Sequence, residues 1–245
     1  GHVAVGQAYS VGHWLRDVAT VMAAHPTRRL IIVGGTGLYF KALTEGLAEI
    51  PPVPDDVRAE GDTLASSGGT EGFLADLRGW DPDILGRIDV NNPARLQRAW
   101  EVFRATEKPL SQWQAETGPP LISKAEKLCL TPDPAWLAER IERRFHAMIE
   151  GGALEECRAA LTAGWAPGHP SSKALGAAEL IDHICGKITL EDAVLKSIIS
   201  TRQYAKRQRT WFRSNMGLWK KIDPENQADM ADFSTNISTA SVPSL

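Results

Sequence analysis

A short apolar run that ends in a glycine-rich turn constrains the fold of this chain more than any other feature. The run is Leu30-Ile-Ile-Val33, and Gly34-Gly35-Thr36-Gly37 follows it directly. Apolar residues at helical spacing come before the run, over residues 9–24, and after it, over residues 38–43. A helix, a buried strand, a glycine loop and a second helix in this order are typical of α/β proteins with a parallel strand. We therefore predict an α/β fold.

The glycine loop is open to two interpretations. Glycines after a buried strand let the backbone approach a ligand, and the N-terminus of the following helix favours an anion there. The same glycines also suit a purely structural turn. The loop is not a P-loop, because the pattern G-x-x-x-x-G-K-[ST] occurs nowhere in the sequence.

The chain divides into a core and an insertion. Pro51-Pro52-Val53-Pro54 breaks the α/β rhythm, and residues 55–114 show helical patterns without a clear strand. The apolar run at residues 127–131 predicts a return to the sheet. We predict an α/β core at residues 1–52 and 126–223, a helical insertion at residues 53–125 and a disordered polar tail at residues 224–245.

Two long helices are predicted in the second half of the core. The first begins near Pro134 with Asp133 as its N-cap. The second covers residues 190–215, after a capping sequence that begins at Thr189. Arg144 lies beside an apolar stripe on the first helix. Its side chain either packs along the core with its guanidinium in solvent, or places the guanidinium to bind a phosphate. The stripe consists of Leu137, Ile141, Phe145 and Met148.

Positive charge is concentrated near the end of the chain. The net charge is −3, yet residues 193–222 contain eight basic residues and none of the 30 acidic ones. Four basic residues at i, i+4, i+7 and i+11 form one stripe on the predicted second helix: Arg202, Lys206, Arg209 and Arg213. Aromatic residues lie between them, a combination that fits binding to an RNA backbone. A solvated helix face is the alternative.

Other classes of protein are disfavoured by composition. No apolar run reaches the roughly 18 residues that a membrane span needs, and no signal peptide is visible. The three cysteines are isolated from one another and outside any metal-ligand spacing, which indicates reduced thiols in a cytoplasmic protein. The histidines form no zinc motif, so we predict no metal held by protein side chains.

Three motifs together resemble the tRNA dimethylallyltransferase family, also called the tRNA isopentenyltransferase or IPP transferase family. The first is Val33-Gly-Gly-Thr-Gly-Leu-Tyr-Phe-Lys-Ala-Leu43, followed by Gly46-Leu47. The second is Asn92-Pro-Ala-Arg-Leu-Gln-Arg-Ala99, which leads to Glu101-Val and Lys108-Pro-Leu110. The third is Thr201-Arg-Gln-Tyr-Ala-Lys-Arg-Gln208 with Thr210-Trp-Phe-Arg213. They occur in the order and spacing of the family and span most of residues 30–213.

The resemblance implies a P-loop-NTPase-like core with an all-helical insertion that grips the anticodon stem-loop of tRNA. It implies dimethylallyl diphosphate as donor, the exocyclic N6 of the adenosine next to the anticodon as acceptor, and Mg²⁺ as helper. It also implies a cytoplasmic monomer. In the family the P-loop and the general-base aspartate precede the point at which this sequence starts. We therefore expect the core to be incomplete at the N-terminus, Mg²⁺ to be held mainly by the diphosphate and that earlier segment, and prenyl transfer to require it.

The same resemblance assigns roles to individual residues. Thr36 lies near the acceptor nucleotide, and Gly34 and Gly35 belong to the donor site. Arg144 corresponds to the active-site arginine that holds the diphosphate. Lys173-Ala-Leu-Gly176-Ala-Ala178 corresponds to a loop that contacts tRNA, in which Ala177 and Ala178 replace larger residues. The other expected tRNA contacts, besides the basic stripe, are Arg58, Ala94, Arg95, Leu96, Gln97 and Arg98.

Three other functions remain open. An adenine-nucleotide prenyltransferase would share the core but would not need the insertion or the basic stripe. A non-catalytic RNA-binding fragment would retain the stripe without the P-loop. A small-molecule kinase of the P-loop type is disfavoured by the absence of that motif.

Overall fold

The computed structural model describes residues 2–4, 7, 9–167 and 170–239. The chain forms two compact units, one of Gly1–Lys41 with Lys124–Leu245 and the other of Ala42–Ser123. The boundary at residue 41 falls inside a helix, Gly37–Glu45. The insertion and tail that we placed by sequence, at residues 53–125 and 224–245, have somewhat different limits from these units.

The first unit begins with helix α1, Val11–Ala24, and continues into α2, Gly37–Glu45. Between them, residues 30–33 are not a strand, so this part of the sequence prediction is wrong. The side chains of Ile31 and Val33 are 58% and 88% exposed. A strand needs a hydrogen-bonded neighbour, and within the described ranges the sheet has no strand beside residues 30–33. An apolar run therefore does not suffice for a strand.

A small parallel sheet confirms the predicted return of the chain at residues 127–131. Strand β1, Leu128–Leu130, pairs in parallel with β2, Lys220–Ile222. Sequence patterns missed β2 because two of its three residues are lysines. Ile222 is 1% exposed, and Thr131 N–H donates to its carbonyl at 2.8 Å, so β2 is anchored by one apolar residue and its backbone.

The polar segment after β2 forms a helix where we predicted disorder. Helix α11 covers Gln227–Thr239. Asn226 accepts hydrogen bonds at its start, and Lys220 of β2 forms an ion pair with Asp232 at 2.6 Å. The N-terminal cap and the ion pair to β2 therefore stabilise a helix in this polar segment. Residues 240–245 of the predicted tail lie outside the described residues.

Four helices pack against one another in the first unit: α7, Pro134–Glu150; α8, Ala153–Thr162; α9, Ala177–Ile184; and α10, Leu190–Asn215. Their shared core includes Phe145, Leu180, Ile181 and Ile198. The two caps predicted from sequence are confirmed. The Asp133 carboxylate accepts from the backbone N–H groups of Ala135 and Trp136, and the Thr189 hydroxyl accepts from Asp192 N–H.

Every secondary-structure element of the second unit is a helix. It contains α3, Asp55–Trp80, with a kink at Gly69; α4, Pro82–Leu85; α5, Pro93–Thr106; and α6, Leu110–Ala115. Helices α3 and α5 bury Phe73, Leu77, Leu96 and Trp100 between them. Asp81, 2% exposed, accepts from the N–H groups of Ile84 and Ser111 and from the Ser111 hydroxyl, so this buried carboxylate ties α4 to α6.

Candidate active site

The glycine loop, residues 34–37, leads directly into α2. Tyr39 N–H donates to the Thr36 carbonyl at 3.0 Å, which closes the first turn of the helix. The side chain of Thr36 is exposed, and Gly34 is exposed beside it. The loop therefore presents a hydroxyl and backbone groups at the start of a helix, where partial positive charge favours an anion.

Helix α10 packs against this loop more closely than a side chain would allow. The Gln208 amide donates Nε2–H to the Gly35 carbonyl at 2.7 Å. A Cβ atom added at Gly35 would lie 2.1 Å from Gln208 Nε2, and one at Gly37 would lie 2.0 Å from the Trp211 ring. A side chain at Gly37 would therefore displace the Trp211 ring, and one at Gly35 would displace the Gln208 amide from its hydrogen bond. Gly34 is different, because a Cβ there would lie 3.6 Å from the Phe40 ring, an ordinary contact.

A cleft beside the loop is walled by aromatic rings. It is lined by Trp14, Tyr39 and Phe40 together with residues 32–36. The rings of Trp14 and Tyr39 are 5.0 Å apart, and Phe40 meets Trp219 edge to face at 5.7 Å. Apolar walls next to exposed backbone groups suit a ligand with one flat or hydrocarbon part and one polar part.

Arg144 is exposed on α7 and makes no hydrogen bond or ion pair with any residue in the described part of the chain. It does not line the cleft beside the glycine loop. The predicted apolar stripe on α7 needs one correction. Met148 is 38% exposed, whereas Ile149, one position further on, packs on the core around Phe145. The core-facing stripe is therefore Ile141, Phe145 and Ile149, of which Phe145 is buried and the other two are half-buried; Leu137 is also half-buried.

The predicted basic stripe on α10 divides into two parts. Arg202 is held within the fold, because its guanidinium donates to Glu142 at 2.7 Å and to the Ala138 carbonyl at 3.3 Å, both on α7. Lys206, Arg209 and Arg213 are exposed and make no hydrogen bond or ion pair with the residues that the structure describes. Three of the four predicted phosphate contacts are thus available to a ligand, and Arg202 is primarily an inter-helix tie.

In the second unit, the predicted tRNA-contacting segment lies at the start of α5. Ala94, Arg95 and Arg98 are exposed, and so is Arg58 on α3. Partial burial lowers the pKa of Arg98, attraction to Glu101 raises it, and repulsion from Arg58 lowers it further. The two guanidinium groups are therefore close enough to repel each other. An anion between them would relieve that repulsion.

Leu96 and Gln97, in the same segment, make contacts within the fold. Leu96 is completely buried in the helical core, so its side chain packs within the fold and any tRNA contact by this residue would involve its backbone. The Gln97 amide donates to Asp62 at 2.7 Å, which joins α5 to α3, and to Glu101 of its own helix at 3.0 Å. Successive side chains of a helix point about 100° apart, so a contiguous segment of a packed helix includes both exposed and buried residues.

The third region predicted to contact tRNA, residues 173–178, also contains both exposed and buried residues. Lys173 is exposed, whereas Gly176 is buried with φ +87°, and a Cβ there would lie 2.7 Å from the Phe145 ring. Gly176 therefore supports the packing of α9 on α7, and its expected contact with tRNA stays a prediction. Glycine adopts this left-handed conformation without the cost that other residues bear.

Two features are absent from the described residues. Within the described ranges, no group of three or more His, Cys, Asp or Glu side chains is placed to hold a metal ion. Over the same residues, no helix combines the length and apolar character that crossing a bilayer requires.

Sequence patterns overlooked Gln208 and Trp211 as partners of the glycine loop. The available signal was their spacing of three residues, which places them on one helix face. At about 100° per residue, that face is about 160° from the mean direction of Arg202, Lys206, Arg209 and Arg213. A polar amide opposite a charged stripe suggests an internal acceptor, but only the fold identifies it as Gly35.

Comparisons with known proteins agree with the motifs. A model of the IPP transferase family matches residues 1–215. A tRNA dimethylallyltransferase of Cereibacter sphaeroides strain KD131 is 55% identical over 224 residues, which cover 91% of this chain and 69% of the relative. A tRNA dimethylallyltransferase of Ruegeria sp. strain TM1040 is 50% identical over 227 residues, which cover 92% of this chain and 75% of the relative.

Solved structures give the same result for the fold. A full-length tRNA isopentenylpyrophosphate transferase of Bacillus halodurans superposes with a TM-score of 0.59 at 27% identity, covering 96% of this chain and 75% of that one. A eukaryotic dimethylallyltransferase acting on tRNA gives a TM-score of 0.76 at 24% identity, covering 97% of this chain and 63% of that one. These likenesses confirm the predicted α/β, P-loop-like fold class.

Proposed function

We propose a function from one premise: the chain belongs to the IPP transferase family, and the relatives it resembles are tRNA dimethylallyltransferases, prenyltransferases that modify tRNA. The protein transfers a dimethylallyl group from dimethylallyl diphosphate to the exocyclic N6 of the adenosine next to the anticodon. We further propose that it acts as a monomer in the cytoplasm, where tRNA is modified.

The arrangement of α10 is the observation that carries this proposal. One face of the helix holds the glycine loop through Gln208 and Trp211, and the opposite face exposes Lys206, Arg209 and Arg213. An RNA backbone bound along the basic face would therefore lie on the same rigid element that supports the acceptor loop. Phosphate contacts fix the orientation of an RNA without reading its sequence.

The reaction forms one bond and breaks one bond. The adenine N6 attacks the first carbon of the dimethylallyl group, the carbon–oxygen bond to the diphosphate breaks, and N6 loses a proton. Because the diphosphate departs with its charge, the protein contributes chiefly by positioning and by stabilising the developing negative charge. The family resemblance assigns to Arg144 the supply of positive charge to the departing oxygens. Arg144 does not line the cleft itself, but its exposed guanidinium has no competing partner in the described part of the chain and is free to meet a diphosphate that extends out of the cleft.

The acceptor base must leave its stack to react, at a cost of a few kcal/mol. Thr36 and the backbone of Gly34 and Gly35 face the cleft in which the base and the donor meet. The aromatic walls of that cleft offer stacking surfaces for a flat base or contact for a prenyl chain. Contacts between tRNA and the exposed arginines offset the cost of base extrusion.

The helical second unit contributes a separate basic patch. Arg58, Arg95 and Arg98 are exposed there and would bind phosphates of the anticodon stem-loop. Lys173 adds a further cation in the first unit. Mg²⁺ would accompany the diphosphate of the donor and neutralise part of its charge.

A comparison of acceptors tests the function. The full-length product of the gene is incubated with labelled dimethylallyl diphosphate and either tRNA or AMP. Label in tRNA alone supports the proposal. Label in AMP supports the nucleotide prenyltransferase, and salt-dependent tRNA binding without any transfer supports the non-catalytic RNA-binding protein.

A further inference from the structure

The buried face of α10 contains one amide whose only described partner is the glycine loop. Gln208 is half-buried and donates to the Gly35 carbonyl at 2.7 Å. On the same face lie Ser197, which is fully buried, and Thr201, each of which bonds back to its own helix. Gln208 differs from both because its hydrogen bond crosses to another segment, 173 residues away in the chain.

We infer that Gln208 is a positioning residue for prenyl transfer, which fixes the glycine loop so that Thr36 and the Gly34 backbone meet the reacting groups. The inference rests on the proposed function. Gln208 does not itself touch the cleft, since the residues that line it are all within 14–40. Its effect on the reaction is therefore indirect, through the backbone at Gly35.

The geometry explains why a single hydrogen bond matters here. Residues 34 and 35 belong to no helix or strand, so no backbone ladder holds their carbonyl groups. Trp211 restrains the loop from the next turn of α10 by covering Gly37, but it acts by contact and does not orient a particular carbonyl. The Gln208 amide is directional, because hydrogen bonds weaken steeply when bent. Catalysis is sensitive to displacements of about 1 Å, which can reduce turnover by about a hundredfold.

Isosteric variants separate this role from a purely structural one. Gln208→Met keeps the volume and removes the donor, and Gln203→Met is the matched control because Gln203 is an exposed amide on the same helix. We expect Gln208→Met to lower kcat by about tenfold to a hundredfold while the Kd for tRNA changes by less than about twofold. Gln203→Met should match the wild type in both.

Gln208→Glu adds a pH-dependent test. An ionised carboxylate cannot donate to the Gly35 carbonyl, whereas a protonated one can. The kcat of Gln208→Glu relative to that of Gln208→Met should therefore rise as pH falls from about 8 to about 5, towards the ordinary pKa of glutamate. A ratio that stays constant over this range would contradict the assigned hydrogen bond.

A double-mutant cycle tests the contact itself. Gly35→Ala alone should reduce kcat because its Cβ would lie 2.1 Å from Gln208 Nε2. In a Gln208→Ala background the same substitution should cost much less, since the obstructing amide is gone. Additive effects would overturn the proposal, and so would loss of folding in both Gln208→Met and Gln208→Glu, which would indicate a structural role.

The failure of this inference is distinguishable from that of the proposed function. Wild-type protein that transfers no dimethylallyl group to tRNA would refute the function. Active wild-type protein with a fully active Gln208→Met variant would refute the positioning role alone.

Discussion

The indole ring of Trp211 covers Gly37 so closely that a methyl group at that glycine would lie 2.0 Å from a ring carbon. Two motifs more than 170 residues apart in sequence therefore meet as one packed unit, with α10 against the start of α2. The close approach of Trp211 explains why the loop has glycine at position 37 without any appeal to a ligand.

Replacing Gly37 with alanine should destabilise the protein. The new methyl group must displace Trp211 or move the loop, and overpacking of this kind costs about 1–3 kcal/mol. Chemical denaturation followed by circular dichroism measures the loss. Gly217→Ala is the control, because a Cβ there would meet nothing within 4 Å. Equal stability of the two variants would show that Trp211 does not restrain the loop.

Gly34→Ala should leave the fold intact but reduce prenyl transfer. A Cβ at Gly34 makes only an ordinary contact with the Phe40 ring, so the packing of the protein does not require glycine there. If the donor or the base approaches the backbone, the added methyl group obstructs it. Steady-state kinetics should show at least a tenfold loss of kcat/KM. Unchanged activity would mean that the backbone at residue 34 does not contact substrate.

Arg144→Ala should reduce turnover far more than tRNA affinity. The side chain is exposed and unpaired within the described residues, so its removal leaves stability nearly unchanged. Loss of a charge contact to the departing diphosphate should lower kcat by about a hundredfold or more. Arg143→Ala, at the adjacent exposed position, is the control. Similar losses of kcat and tRNA affinity would contradict the role in diphosphate binding.

Removal of the exposed cations on α10 should weaken tRNA binding in a salt-dependent manner. Each of Lys206→Ala, Arg209→Ala and Arg213→Ala should reduce the slope of log K against log salt by about 0.7–0.9, the value of one phosphate contact. Arg202→Ala should behave differently, since Arg202 pairs with Glu142 on α7 at 2.7 Å. Its main effect should be on stability, and an unchanged slope for the other three would contradict their role.

The three thiols should react at very different rates. Burial raises the pKa of Cys129, partly offset by Lys221, and burial followed by repulsion from Glu156 raises the pKa of Cys157. A raised pKa leaves less thiolate at pH 8, so both thiols should be slow, whereas Cys185 is exposed and should react first. Peptide mapping after brief alkylation of native protein checks this order, and rapid labelling of Cys157 would contradict the packing of α8.

Features that depend only on residues within one helical turn were predicted correctly from the sequence. Asp133 and Thr189 were identified as caps because a cap depends on residues within one turn. The prediction of a strand at residues 30–33 was wrong, and β2 was not predicted. Strand formation depends on a hydrogen-bonded neighbouring strand, which a local sequence pattern does not reveal. Lys220 and Lys221 show this most clearly, since neither favours a strand and both belong to one.

The candidate site shows the same division. The sequence indicated the glycine loop and the basic stripe, but it could not separate Arg202, held by Glu142, from the three exposed cations beside it. It also could not show that Leu96 and Gly176 are buried while their neighbours are exposed. Such distinctions arise from contacts between segments that are distant in the chain.

One measurement tests the central claim, that this fold brings a tRNA adenosine to a prenyl donor, most directly. Full-length protein is incubated with labelled dimethylallyl diphosphate and a tRNA that has adenosine next to the anticodon, or the same tRNA with guanosine at that position. We predict label only in the adenosine-containing tRNA. Equal labelling of both, or of neither, would contradict the account.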